Sequence, residues 1–137
     1  MVTSDAAAGE VAIDRLPVYN KRMSKHPLQE PTFLILTALA AGPQHGYGIM
    51  TDAARVSGNR VRLRAGTLYA ALDRLSGEGS VMVDREEIVE GRLRRYYKLT
   101  PSGARVLAAE ADRLRANAAV ATRRLRAFAD GLAAGAA

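Results

Sequence analysis

The chain has 137 residues, is 48% hydrophobic and carries a formal net charge of +6, which suits one compact domain with appendages and favours a polyanionic partner, nucleic acid ahead of an anionic membrane surface. It contains no cysteine, which excludes disulfides, thiolate metal sites and cysteine nucleophiles. The longest apolar stretch, FLILTALAAG at 33–42, is far too short to span a bilayer, and residues 1–25 lack the pattern of a secretory signal; a cytoplasmic protein is expected.

Residues 1–27 show no dominant period and read as a disordered or flexible basic leader, with Lys21, Arg22 and Lys25 clustered near its end. It is either a solvated tail or an arm that touches DNA. Pro31 and Thr32 then open a helix, proline being tolerated in a first turn and threonine able to cap one. Phe33, Leu34, Ile35, Leu36 and Leu39 make that helix apolar nearly all round, as for a buried helix, and Gly42-Pro43 stops it. A second helix is expected over 46–56, with Ile49, Ala53 and Val56 as its inward stripe. A third follows over 66–77, with Leu68, Leu72 and Leu75 inward and Thr67, Tyr69, Ala70, Asp73 and Arg74 on the other face. The short connections suit a helix-turn-helix.

Residues 81–87 and 93–99 read as a hairpin. A three-residue loop Val89-Glu90-Gly91 would set Val83 against Tyr97 and Val81 against Leu99, all four facing the helices, and would pair Glu86 with Arg94 on the opposite face. Thr100 caps a last helix with Pro101 at its first position, running to about residue 130, ahead of a frayed GLAAGAA end. Leu107, Leu114, Ala121 and Phe128 recur every seven residues, and Ala111, Ala118, Leu125 and Leu132 do so on the adjoining row. This a/d seam predicts pairing with a second copy of the chain rather than folding back on its own domain. Its arginines flank an alanine-rich seam rather than bulky interfacial aromatics, so no membrane partner is expected.

The expected architecture is therefore mainly α (α+β): a winged helix-turn-helix with a two-stranded wing and a long C-terminal dimerisation helix. The domains are the leader (1–27), a winged-helix DNA-binding domain (28–100) and the dimerisation helix with its tail (101–137). A recognition helix enters the major groove with small or polar residues at its amino end. Thr67 and Tyr69 suit that role, and Arg74 further along reaches either guanine or backbone. The structural alternatives are a plain helix cap for Thr67, a core aromatic for Tyr69 and an ion pair with Glu78 for Arg74. Arg60, Arg62 and Arg64 alternate along the approach to this helix and make a phosphate clamp. Arg92 sits at the wing tip, suited to a narrow minor groove, with Arg94 and Arg95 on the return strand. Tyr97 reads as a core residue.

Nothing in the chain points to an enzyme. His26 and His45 lie far apart without paired acids, and no phosphate-binding glycine loop, HExxH or GxSxG occurs. Neither a metal nor a cofactor is expected. The runner-up to a DNA-binding regulator is a winged-helix protein-interaction module without specific DNA binding, kept open by Ile88 and Val89 beside Arg92 in the wing.

Three segments, PTFLILTALAAGPQHGYGI (31–49), RLRAGTLYAALDRLSGEG (62–79) and GRLRRYYKLTPSG (91–103), together resemble the PadR family of transcriptional regulators. The resemblance implies a dimeric winged helix-turn-helix with the C-terminal helix as dimer arm, and repression of a nearby operon relieved by a small, often aromatic or hydrophobic ligand. It places Tyr47 at the opening of the second helix, Thr67 and Tyr69 on the recognition helix, and Arg92 to Arg95 in the wing. Gly48 stands where many members carry glutamate and Ala70 where many carry proline. Members that hold flat ligands between subunits use tryptophan, which this chain lacks. The DNA-binding set is thus Tyr47, Arg62, Arg64, Thr67, Tyr69, Arg74, Arg92, Arg94 and Arg95. The dimer set is Leu107, Leu114, Ala118, Ala121, Leu125 and Phe128.

Overall fold

The computed structural model describes residues 27–136. Residues 1–26, and with them nearly all of the expected leader, lie outside the described residues. The elements run α1 (Glu30–Ala40), β1 (Gln44–His45), α2 (Gly46–Val56), α3 (Ala65–Gly77), β2 (Val81–Val89), β3 (Arg92–Leu99) and α4 (Pro101–Ala136). The strands form one antiparallel sheet in the order β1-β3-β2, so the wing hairpin carries a third, two-residue strand on its β3 edge. Among the described residues, no helix is long and apolar enough to cross a membrane.

Helix α1 is the centre of the core, with Leu34, Ile35, Leu36, Ala38 and Leu39 buried. Ile49 from α2, Leu68, Ala71, Leu72 and Leu75 from α3, Val81 and Tyr97 from the sheet, and Val106 from α4 close around it. The helical period of each stripe explains this convergence. Val56 departs from its stripe: it is 47% exposed, because α2 ends there and the chain turns away through Ser57 and Asn59. Thr32 does not cap α1. The helix begins one turn earlier, after Gln29, with Pro31 in its first turn, and the Thr32 side chain is buried at the contact with α3.

The wing register agrees with the sequence near the core and departs from it beyond. Val81 pairs with Leu99 and Val83 with Tyr97, although Val83 stays half exposed. The register then shifts at Asp84, so that Arg85 faces Tyr96, Glu86 faces Arg95 and Glu87 faces Arg94. This bulge corrects the expected Glu86–Arg94 pair, and it shortens the loop to Glu90-Gly91, since Val89 pairs with Arg92. Both loop residues have positive φ, 52° and 76°, the geometry of a tight two-residue hairpin turn whose twist matches the strands.

Thr100 caps α4 as expected: its Oγ1 accepts from the Gly103 N–H at 3.0 Å and donates to the Gly79 carbonyl at 2.5 Å. The Thr100 N–H donates to the Ser80 carbonyl at 3.1 Å, locking the root of α4 to the α3–β2 turn. The helix runs to Ala136, past the expected end near 130, and from Asp112 onward every described residue is exposed. At 1.5 Å per residue α4 is about 54 Å long, and only its first turns touch the domain.

Candidate nucleic-acid interface

Helix α3 presents Thr67, Tyr69, Ala70, Asp73 and Arg74 on its exposed side, and a cleft lies on each flank. The first cleft, about 530 Å³, is bounded by the start of α2, by Tyr69 and by the outer wing, with Tyr47, Arg92, Arg94 and Arg95 among its lining residues. It brings together five of the nine residues proposed for DNA contact. Tyr47 is 73% exposed and Tyr69 46% exposed, so neither is a core aromatic; Tyr97 is. The second cleft, about 410 Å³, lies between α1 and α3 and is lined by Gln29, Pro31, Thr32, Thr67 and Arg74, over a floor of Ala70 and Ala71. Arg62 and Arg64 lie outside both linings, exposed on the extended segment that leads into α3.

His45 organises the first cleft. It ends β1 and caps α2, its Nδ1 accepting from the Gly48 N–H at 3.1 Å. Its ring meets Tyr96 edge-on, with centroids 5.3 Å apart at 82°, and the Arg85 guanidinium lies 3.9 Å from the centre of the same Tyr96 ring. The start of α2, with Tyr47, is thereby tied to the wing. Burial first, and the nearby Arg94 charge second, hold the His45 pKa below its ordinary value. The neutral imidazole is the form the cap requires. Gly46 brings Tyr69 close: the Tyr69 hydroxyl and Leu68 fill the space a Cβ at position 46 would need.

The ion pairs sort the arginines. Arg60, expected beside Arg62 and Arg64 in a phosphate clamp, instead holds Glu30 with two hydrogen bonds of 2.6 and 2.8 Å, and these keep the Glu30 carboxyl below its usual range. Arg55 pairs with Asp52, Arg85 with Asp84 and Glu87, and Arg95 with Glu86. Arg85 likewise lowers the pKa of Glu87. Exposed pairs of this kind add little stability; their consequence is local charge. Among the described residues, Arg62, Arg64, Arg74, Arg92 and Arg94 form no ion pair. Arg74 does not reach Glu78. Its Nη2 donates to the Thr32 Oγ1 at 2.8 Å, a partner that leaves the charge intact.

Sequence reasoning missed Thr32, Gln29, Gly46 and His45 as shapers of this surface. For His45 the position just ahead of a helix start was a local signal. For Thr32 there was none, because its partner lies 42 residues away. The residues expected at a dimer seam divide in two: Leu107 packs half-buried against the domain's own core, whereas Leu125 and Phe128 are 66% and 65% exposed, with Leu114, Ala118 and Ala121 also exposed. Among the described residues, no cluster of three or more histidine or acidic side chains is placed to hold a metal ion.

Known proteins resemble this arrangement. The family described as "Transcriptional regulator PadR-like family" matches residues 35–109. Over 73 residues the chain is 36% identical to the transcriptional regulator Rv3488 of Mycobacterium tuberculosis, a match covering 53% of this chain and 64% of that protein. The chain spans less than two thirds of the length of the curated relatives it matches. A PadR family transcription regulator from Clostridium difficile superposes with a TM-score of 0.58 at 26% identity, over 71% of this chain and 99% of the other. Bacillus subtilis PadR, solved in complex with operator DNA, superposes with a TM-score of 0.53 at 26% identity, over 59% of this chain and 47% of the other.

Proposed function

The chain belongs to the PadR-like family of transcriptional regulators, and from that premise we propose that it acts as a cytoplasmic homodimer on double-stranded DNA, reading a near-palindromic operator. The observation that carries this reading is the exposed α3 face flanked by arginines without carboxylate partners, with Tyr47 and Tyr69 in the cleft between helix and wing. Helix α3 enters the major groove, the wing tip with Arg92 lies over the adjoining minor groove, and Tyr47, Tyr69 and Arg94 hold the backbone between them. The exposed face of α4, with Leu114, Leu125 and Phe128, pairs the two chains. That B. subtilis PadR is found on operator DNA supports the same use of this surface here. Repression, relieved by a small effector, is supported by the family alone.

One observation favours a second reading. Ile88 and Leu93 face each other across the wing and are 77% and 63% exposed, a surface that fits a protein partner. Fluorescence anisotropy on the duplex upstream of the protein's own gene, against a scrambled duplex at two salt concentrations, separates the two. Saturable, salt-sensitive binding that prefers the native duplex is expected from a sequence-specific regulator. Absence of binding to either duplex at low salt would leave the wing to a protein partner.

A further inference from the structure

A helix lying in a major groove has a sugar-phosphate backbone on each side of it. The structure has a cleft on each side of α3, and the wing-side cleft accounts for only one of the two strands. We propose that the α1–α3 cleft is a second phosphodiester-binding site, in which Arg74, positioned by Thr32, takes a backbone phosphate of the strand opposite the one held at the wing. This rests on the reading of α3 as a recognition helix and assigns Arg74 to backbone rather than to a base.

Four observations support the assignment. First, the Arg74 guanidinium is drawn off the centre line of α3 toward α1 by its 2.8 Å bond to the Thr32 Oγ1, away from where base edges would lie. Second, the tether is a neutral hydroxyl, so the full charge of Arg74 remains in the cleft, and neither Asp73 nor Glu78 forms an ion pair with it among the described residues. The Nε–H and the Nη1 donors stay available for the two-point contact that arginine makes with phosphate. Third, the neighbouring carboxylate, Glu30, is held by both nitrogens of Arg60 and is not among the residues that line the cleft. Fourth, the Thr67 hydroxyl and the Gln29 amide line the same cleft as further donors, and Ala70 leaves its floor low. Thr32 is 5% exposed, so its hydroxyl sits in a fixed position. Arg74 is ordered before DNA arrives, and its ordering cost does not fall on binding.

The test is duplex binding by the full chain and its Arg74→Ala, Thr32→Val, Thr32→Ser and Arg74→Ala/Thr32→Val variants, followed over a salt series. Arg74→Ala is expected to weaken binding to native and scrambled duplexes by the same factor, about tenfold, and to flatten the log–log salt dependence by about 0.9. Thr32→Val is expected to give a smaller, about threefold loss, with no further loss in the double variant and recovery in Thr32→Ser. A scan with single methylphosphonates then identifies the phosphate: one position is expected at which the unmodified protein loses affinity and Arg74→Ala does not, on the strand opposite the position sensitive to Arg94→Ala. A loss confined to the native duplex would assign Arg74 to a base and overturn the proposal. So would binding by Arg74→Ala equal to that of the unmodified protein, with the DNA-binding reading left standing. Failure of the unmodified protein to bind any duplex at low salt would overturn both.

Discussion

The Tyr69 hydroxyl rests against the Cα of Gly46, and no side chain at position 46 fits between them. This contact joins the first residue of one helix to the exposed aromatic of the next and sets how far Tyr69 stands out into the wing-side cleft. A Cβ at position 46 would overlap the phenol, 2.9 Å from Cζ, and would crowd Leu68 Cδ2 at 3.3 Å. The phenol is the free end of a side chain that can swing away.

Gly46→Ala is therefore expected to leave the fold intact and to weaken DNA binding by about tenfold, roughly 1.4 kcal/mol. Anisotropy titration alongside a thermal melt checks it. Unchanged affinity would show that the position of Tyr69 is immaterial to binding.

At Gly103 the obstruction is backbone. The Ser80 carbonyl occupies the space of a Cβ, and it is fixed there by the Thr100 N–H. Gly103→Ala must displace α4 or the α3–β2 turn, and a destabilisation of about 1–3 kcal/mol is expected, in the range of overpacked cores. Urea denaturation measures it, and a midpoint equal to that of the unmodified protein would refute the close approach.

His45 makes stability depend on pH. Its folded-state pKa is depressed, so the unfolded chain binds the proton more readily. The stabilisation from its cap is complete above about pH 6.5, the ordinary histidine value, and is lost as pH falls through the lowered folded-state value. His45→Asn keeps a capping side chain and removes the titration. Melting temperatures from pH 7.5 to 5 should fall more steeply for the unmodified protein than for the variant; parallel profiles would count against the cap.

Leu114 lies beyond the part of α4 that touches the domain. Leu114→Asp is expected to leave the domain folded and to convert a dimer to a monomer in sedimentation. A variant that remains dimeric would remove Leu114 from the interface.

The wing shows how far alternation carries and where it stops. Val81 opposite Leu99 and Val83 opposite Tyr97 were legible because a one-residue slip there would turn apolar side chains to water. Beyond Val83 the strands are mostly charged, and a shift at Asp84 moves no core residue. Nothing in the pattern distinguished Glu86 opposite Arg94 from the observed Glu86 opposite Arg95. The short turn with two positive φ values at Glu90 and Gly91 follows from the same bulge.

The helices, their buried stripes, the Thr100 cap and the arginine-rich approach to α3 were determined by the sequence alone, since helical period and capping depend on residues only a few positions apart. Which arginines remain available to a polyanion was decided by the tertiary structure. Arg60 is taken by Glu30, 30 residues away, and Arg74 is turned by Thr32, 42 residues away. Packing α1 against α3 and the loop before it brings these partners within a hydrogen bond's length, and no local pattern encodes that proximity. A long charged side chain has many rotamers of similar energy, and the neighbour that selects one of them exists only once the core has closed.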